Sequence, residues 1–147
     1  MSTGEKAIYI TEVKIRPLVT SDIASTLNIY WAQIPEKDIL ASQLGGRLDL
    51  SLIAEYQGYL AGFLLGRLIY AGMPMVGLGV IFFAAVNPNY RGHGIGAMLL
   101  ETFKANCRAQ GIKTVRALVQ ESDSRTRRFF EKAGFYRSDI LNFDCVV

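Results

Sequence analysis

Apolar and polar positions change period several times along the chain, and each change predicts an element. Residues 13–15 read as a short strand that ends at Arg16-Pro17. Thr20-Ser21-Asp22 then supplies helix N-caps. Ile23, Leu27, Tyr30 and Trp31 follow on one helical face. A second short helix is predicted after Pro35, with Ile39, Leu40 and Leu44 inward and Gly45 as its stop. The period then shortens. Leu50, Leu52, Ala54 and Tyr56 alternate with Ser51 and Glu55, as in a half-buried strand. Gln57-Gly58 makes a tight reversal into a strand over 59–69, and Tyr70-Ala71-Gly72-Met73-Pro74 turns into another over 76–86. This last run is apolar on both faces, which predicts a central strand covered on both sides. Gly77 and Gly79 within it signal a bulge, a close backbone approach or tolerance of small residues.

From Gly94 the helical period returns, with Leu99, Leu100, Phe103 and Cys107 on one face and Gly111 as terminator. Residues 113–119 form a predicted strand that turns Val115, Ala117 and Val119 to one side. Ser122 or Asp123 caps a further helix that buries Phe129, Phe130 and Ala133 and stops at Gly134. Strands over 135–137 and 141–147 are predicted to complete the sheet. The element order predicts an α/β fold whose first half is antiparallel. At 147 residues the chain has the length of one domain, spanning 1–147.

Composition narrows the class. Half of the residues are hydrophobic, enough for a core and too many for intrinsic disorder. The longest apolar run, 76–86, falls short of the roughly 20 residues that cross a bilayer, and Glu5 and Lys6 interrupt what would be a signal peptide. A cytoplasmic protein with no membrane partner is expected. Cys107 and Cys145 form neither a disulfide framework nor a metal-ligand pattern, so both are read as small core residues and no metal is expected. The charge is uneven: residues 1–90 hold six Lys/Arg against seven Asp/Glu, whereas residues 91–147 hold ten against six. The basic half suits an anionic ligand. Its basic residues are interrupted by acids and fit no nucleic-acid motif.

That half also contains the most informative segment, Val86-Asn87-Pro88-Asn89-Tyr90-Arg91-Gly92-His93-Gly94-Ile95-Gly96-Ala97. A strand ends, a proline turn follows, and glycines at alternate positions open a helix. Without Cβ atoms in the way, successive N–H groups can converge, and the helix start adds unpaired N–H groups and a positive dipole end. The result is a phosphate cradle with Arg91 at its rim; the competing reading is a turn that merely permits tight strand–helix packing. Gly92, Gly94 and Ala97 also fit a dinucleotide fingerprint, with Glu121 as a ribose-binding acid. Against a nicotinamide-dependent oxidoreductase stand the distance from Val86 to Gly92, the short remaining chain and the antiparallel first half. A P-loop is excluded because no Gly-Lys-Ser/Thr follows.

Arg91-Gly92-His93-Gly94-Ile95-Gly96 resembles the R/Q-x-x-G-x-G/A motif of the GNAT N-acetyltransferase superfamily. Phe129-Phe130-Glu131-Lys132-Ala133-Gly134-Phe135 is similar to that family's second signature, and Ile15-Arg16-Pro17 with Asp22 to its start. The resemblance implies a single GNAT-like domain with a mixed central sheet of about six or seven strands and helices on both faces. It implies acetyl-CoA as acyl donor, with the pantetheine arm along Ala84, Ala85 and Val86. The pyrophosphate would rest on Arg91, Gly92, His93, Gly94, Ile95, Gly96 and Ala97, with Asp123 and Phe130 nearby. His93, at a variable position of the motif, is a solvent-edge or phosphate contact rather than a base.

The implied chemistry is direct attack of an amine on the thioester in a ternary complex, with a strand N–H stabilising the oxyanion and a tyrosine protonating the thiolate. This chain departs twice: Phe130 occupies the tyrosine position and Asp123 the position of an asparagine. Glu55, Glu121 and Tyr136 are the candidate catalytic groups. With no evident base, a low-pKa acceptor is expected, either a small-molecule amine or a protein N-terminal amine. Tyr30, Trp31 and Tyr70 are candidates to line its pocket. The departures keep open a CoA-binding regulatory or sensory module without catalysis. The apolar end Cys145-Val146-Val147 is compatible with a homodimer or with a covered edge strand.

Overall fold

A computed structural model describes residues 7–22 and 49–147. Five strands form one sheet in the order β1 (Val13–Pro17), β2 (Leu52–Tyr56), β3 (Tyr59–Ala71), β4 (Val76–Val86) and β5 (Val115–Ala117). The first four are successively antiparallel, and β5 alone runs parallel to its neighbour. Helix α1 (Ile95–Ala109) connects β4 to β5, and α2 (Ser124–Lys132) follows β5. A run of parallel βαβ units, as a dinucleotide-binding sheet requires, is not what these strands form. The predicted helices around Ile23–Trp31 and Ile39–Gly45 lie outside the described residues.

The alternation read from the sequence has a direct physical outcome. Leu52, Ala54 and Tyr56 of β2, Leu64 and Leu68 of β3 and Ile81 of β4 meet Ile95, Leu99, Leu100, Phe103 and Cys107 of α1 in one buried cluster. Each large side chain so buried contributes on the order of 1.5–3 kcal/mol. The opposite sheet face buries Ile53, Phe63, Leu65, Leu78 and Val80. Gln57 and Gly58 both take positive φ, 52° and 79°, the backbone of a tight hairpin between β2 and β3.

Gly79 is explained by close approach. A Cβ there would overlap the Cys107 sulfur, and one on Gly66 would overlap the Phe103 ring. These glycines are the holes into which α1 sets its side chains. The bulge lies elsewhere: the β3–β4 register runs from Leu65↔Phe83 to Gly66↔Ile81, which leaves Phe82 as the extra residue.

Two expectations are corrected. The sheet has five strands among the described residues, where about six or seven were expected, because residues 135–137 and 141–147 join no ladder; Phe135 packs on the core, and residues 136–147 are exposed. Strand β4 is central, but Phe82, Phe83 and Ala84 are exposed, so it is not covered along its whole length. No helix among the described residues is long and apolar enough to cross a membrane.

Candidate active site

The bulge at Phe82 sits one residue past the last rung shared by β4 and β5. Their parallel pairing spans only Gly79↔Val115 to Ile81↔Ala117, and the Leu118 amide donates to Ile81 O at 3.1 Å. A bulge bends its strand, and the β4–β5 pairing ends where this one lies. Beyond it, Ala84 is exposed and Ala85 and Val86 are half-buried. The main chain of residues 84–86 therefore pairs with β3 and has no partner on β5.

The turn after β4 is held by Asn87. Its amide donates to Ala61 O at 2.8 Å, its Nδ2 to Leu60 O at 3.3 Å, and its Oδ1 accepts from the Asn89 amide at 3.1 Å. These bonds fix the short 3₁₀ turn Pro88–Tyr90, and the Tyr90 ring packs edge-on against Tyr56. The sequence offered only the Asn-Pro pair as a turn signal; the tie back to β3 had none.

Arg91 Nε then donates to Val86 O at 3.1 Å, holding the guanidinium over the end of β4. Gly92 and Gly94 have φ of 83° and 82°, where an L side chain is strained. Gly94 is the N-cap of α1, in a left-handed conformation and with no side-chain cap, and the first turn of α1 holds no acidic residue. The first amides of α1 therefore have no acceptor among the described residues. No atom of the described residues lies within 4 Å of a Cβ placed on Gly92, and a Cβ on Gly96 would press on Phe129 at 3.2 Å. Residues 91–94 are exposed, whereas the Ile95 side chain is buried in the core, so Ile95 can offer only its main chain. This is an uncapped, positively polarised concavity, and it fits a diphosphate. His93 is exposed and has no hydrogen-bond partner among the described residues.

The remaining candidates are placed less productively. Asp123 caps α2: its carboxylate accepts from the Thr126 amide at 3.1 Å and from Thr126 Oγ1 at 2.6 Å, and these bonds hold it below the usual carboxylate range. Phe130 is 7% exposed, edge-on to Phe129 and to Phe135 with centroids 5.1 Å apart in both pairs. Glu55 is held by Arg16, which donates from Nε at 2.8 Å and lies 2.7 Å away through Nη2. Arg16 also makes a two-pronged pair with Asp22, both bonds at 2.7 Å. That pairing pushes the guanidinium up, and with the Val19 amide it holds the Asp22 carboxyl below its ordinary range against the opposing effect of burial. Sequence reading singled out Arg16 and Asp22 but missed Glu55 as their third member.

Glu121 is exposed, 3.6 Å from Arg137, and Tyr136 is 90% exposed. Tyr70 is exposed near the end of β3, and Tyr30 and Trp31 lie outside the described residues. Cys107 is buried, which raises its thiol, but Cys145 is exposed and not the core residue expected. Among the described residues no cluster of His, Cys, Asp or Glu is placed to hold a metal.

The described residues thus form an antiparallel sheet with one short parallel pair, β4 and β5, and a glycine-rich, uncapped helix start in the connection between those two strands. The profile of the acetyltransferase (GNAT) family matches residues 19–135, and the chain belongs to that family. Solved structures agree in fold. Aminoglycoside N-acetyltransferase AAC(6')-Iy in complex with CoA is 14% identical with a TM-score of 0.79, over 91% of this chain and 94% of that one. Ribosomal-protein-alanine N-acetyltransferase from Brucella melitensis biovar Abortus 2308 is 18% identical with a TM-score of 0.76, over 92% and 99%. An aminoglycoside acetyltransferase, meta-AAC0020, from an uncultured soil metagenomic sample is 17% identical with a TM-score of 0.76, over 94% and 98%.

Proposed function

We propose that residues 1–147 form one acetyl-CoA-dependent N-acetyltransferase domain acting on an amine of low pKa, either a small molecule or a protein N-terminus. The observation that carries this reading is the uncapped start of α1 at Gly94, set where β4 and β5 part after Ile81. The pyrophosphate would be held by the amides of residues 92–97 and by Arg91, whose Nη groups have no partner among the described residues. The pantetheine would lie along Ala84, Ala85 and Val86. The donor supplies a thioester carbonyl, and the chain orients it, excludes water and polarises it through β4 amides near the bulge.

None of the three candidate bases is suited to take a proton. Glu55 is engaged by Arg16, while Glu121 and Tyr136 sit in solvent. The amine must then arrive neutral. At pH 7 an α-amine of pKa about 7.7–8.0 is roughly a tenth neutral, against well under a thousandth for a lysine near 10.4. This favours an α-amine such as a peptide N-terminus. The similar structures are consistent with an amine acceptor, since one is a ribosomal-protein-alanine N-acetyltransferase and another an aminoglycoside acetyltransferase. Phe130 cannot give a proton to the leaving thiolate, so solvent does so.

The test is thiol release from acetyl-CoA across a panel of amines. Release with α-amines, with a pH profile that follows the amine's own pKa, is expected. Efficient turnover of a lysine ε-amine at neutral pH contradicts the acceptor reading. The buried ring cluster at Phe130 supports one second reading, a CoA-binding regulatory module: it requires stabilisation by CoA with no thiol release for any amine.

A further inference from the structure

Strands β3, β4 and β5 contain two charged residues, Arg67 and Arg116, and no acid. The register puts both in one row of the sheet: Arg67 lies opposite Val80, and Val80 opposite Arg116. Paired residues share a face. Here it is the face away from α1, because the next residues along, Leu68, Ile81 and Ala117, lie in or against the cluster that α1 buries. Both arginines are half-buried, and neither has a hydrogen-bond or ion-pair partner among the described residues. Asp49, bridged to Arg67 through the backbone, turns Oδ1 to the Ser51 amide at 2.9 Å. Glu55 of β2 is held by Arg16. Further along the same face, toward the end of the β4–β5 pairing, the surface turns apolar. Phe83, opposite Leu65, and Leu118, two residues beyond Arg116, are both exposed there.

We propose that Arg67 and Arg116 bind an anionic group, carboxylate or phosphate, carried by the acceptor, so that the substrate class is an α-amine with an acidic group close by. That the bound molecule is an acceptor rests on the acyltransferase reading; the anion site does not. A guanidinium taken partly out of water loses hydration that a carboxylate normally replaces. Here two stand in one row without one, and each repels the other. Two strand spacings, about 10 Å, separate their backbones, so both side chains can close on one group above Val80. Their planar forks match the paired oxygens of a carboxylate or a phosphate. Position agrees with the chemistry. The Val80↔Arg116 rung precedes Ile81↔Ala117, the last of the β4–β5 pairing, and the acyl carbonyl is proposed to lie near the bulge at Phe82. Two to three residues of strand, roughly 7–10 Å, separate the row from that point. An extended peptide spans this from its N-terminal amine to an acidic side chain on its second residue. A cationic acceptor would instead meet two like charges.

The test titrates the full ¹⁵N-labelled chain, with CoA present, with the dipeptide amides Ala-Glu, Ala-phosphoserine, Ala-Gln, Ala-Ser and Ala-Lys. The reacting amine is the same in each, so the second side chain is the variable. The two anionic members are expected to bind at least about 10-fold tighter than their neutral matches, with Ala-Lys the weakest, and to shift the Nε–H signals of Arg67 and Arg116. The stronger of the two identifies the group as carboxylate or phosphate. Arg67→Gln and Arg116→Gln are each expected to remove most of this preference and leave CoA affinity unchanged, whereas Arg116→Lys, which keeps the charge without the fork, retains part of it. The peptide comparison on the unaltered chain depends on no variant's folding. Equal affinities across the panel, as for arginines whose heads simply reach water, overturn the proposal, and so does a preference that survives both substitutions. Thiol release from acetyl-CoA with the tightest peptide is read separately. Tight anionic binding without release contradicts the acyltransferase reading alone; release indifferent to the peptide's charge contradicts the anion site alone.

Discussion

Replacing Gly94 separates the fold's requirement at the helix start from the ligand's. Gly94 has φ 82°, and among the described residues a Cβ there meets only Ile10 Cδ1, at 3.2 Å. That methyl is the flexible end of an exposed side chain and can move. The cost to folding is then mainly that of a left-handed non-glycine residue, about 1–2 kcal/mol, and less for Asn and Asp. Gly94→Asn and Gly94→Asp share shape and backbone preference and differ in charge. If the diphosphate rests on these amides, Asp places a charge roughly 5 Å from each of two phosphate charges. At an effective dielectric of about 40, each pair costs ~1.7 kcal/mol and the two together about 3 kcal/mol, roughly a 100-fold loss of affinity relative to Asn. The gap narrows in high salt. Calorimetric titration of both variants with CoA, with thermal melts alongside, gives the comparison. Equal affinities for Asn and Asp, with both variants folded, would refute the electrostatic argument and take the loop out of the donor site.

Other substitutions probe the fold and the supporting contacts. Gly79→Ala drives a methyl into Cys107 and is expected to destabilise by about 1–3 kcal/mol in denaturant titration; adding Cys107→Ala should recover much of this, and no recovery would mean the clash lies elsewhere. Asp22→Asn is expected to cost about 1–2 kcal/mol at pH 7 by breaking the paired bonds to Arg16. Because the native Asp22 carboxyl is depressed, its contribution is complete above about pH 4 and is lost as pH falls through the native value. The two stability curves should therefore converge in acid; a constant gap would contradict this. Asp123→Asn keeps an acceptor for Thr126 and removes a charge beside an anionic donor, so CoA should bind a few-fold tighter. Unchanged affinity would place Asp123 outside the donor's field.

The sheet up to β4 and both described helices were legible because their side chains follow a single period set by one buried face. Leu99, Leu100, Phe103 and Cys107 repeat as a helix must, and Gly111 and Gly134 stop the helices with φ of 77° and 90°. The uncapped start of α1 was legible because its left-handed turns are built from backbone, and glycine is the residue that frees backbone. The bulge at Phe82 was not: two adjacent phenylalanines in an apolar run give no sign of which is the extra residue, and the glycines that looked like bulge markers serve helix packing. The role of Glu55 was hidden because it depends on the β1–β2 register, which brings Glu55 opposite Lys14 and within reach of Arg16. The last two predicted strands do not form: residues 135–137 and 141–147 join no ladder, because an apolar run states that a segment can pair and not that a partner edge receives it.

The central claim is tested most directly by titrating the ¹⁵N-labelled chain with CoA and following single amides. The account predicts large shifts for the amides of Gly92, Gly94, Gly96 and Ala97, none for Gly58 or Gly111, and no comparable response to NAD. Saturating CoA that leaves the 92–97 amides in place would contradict it.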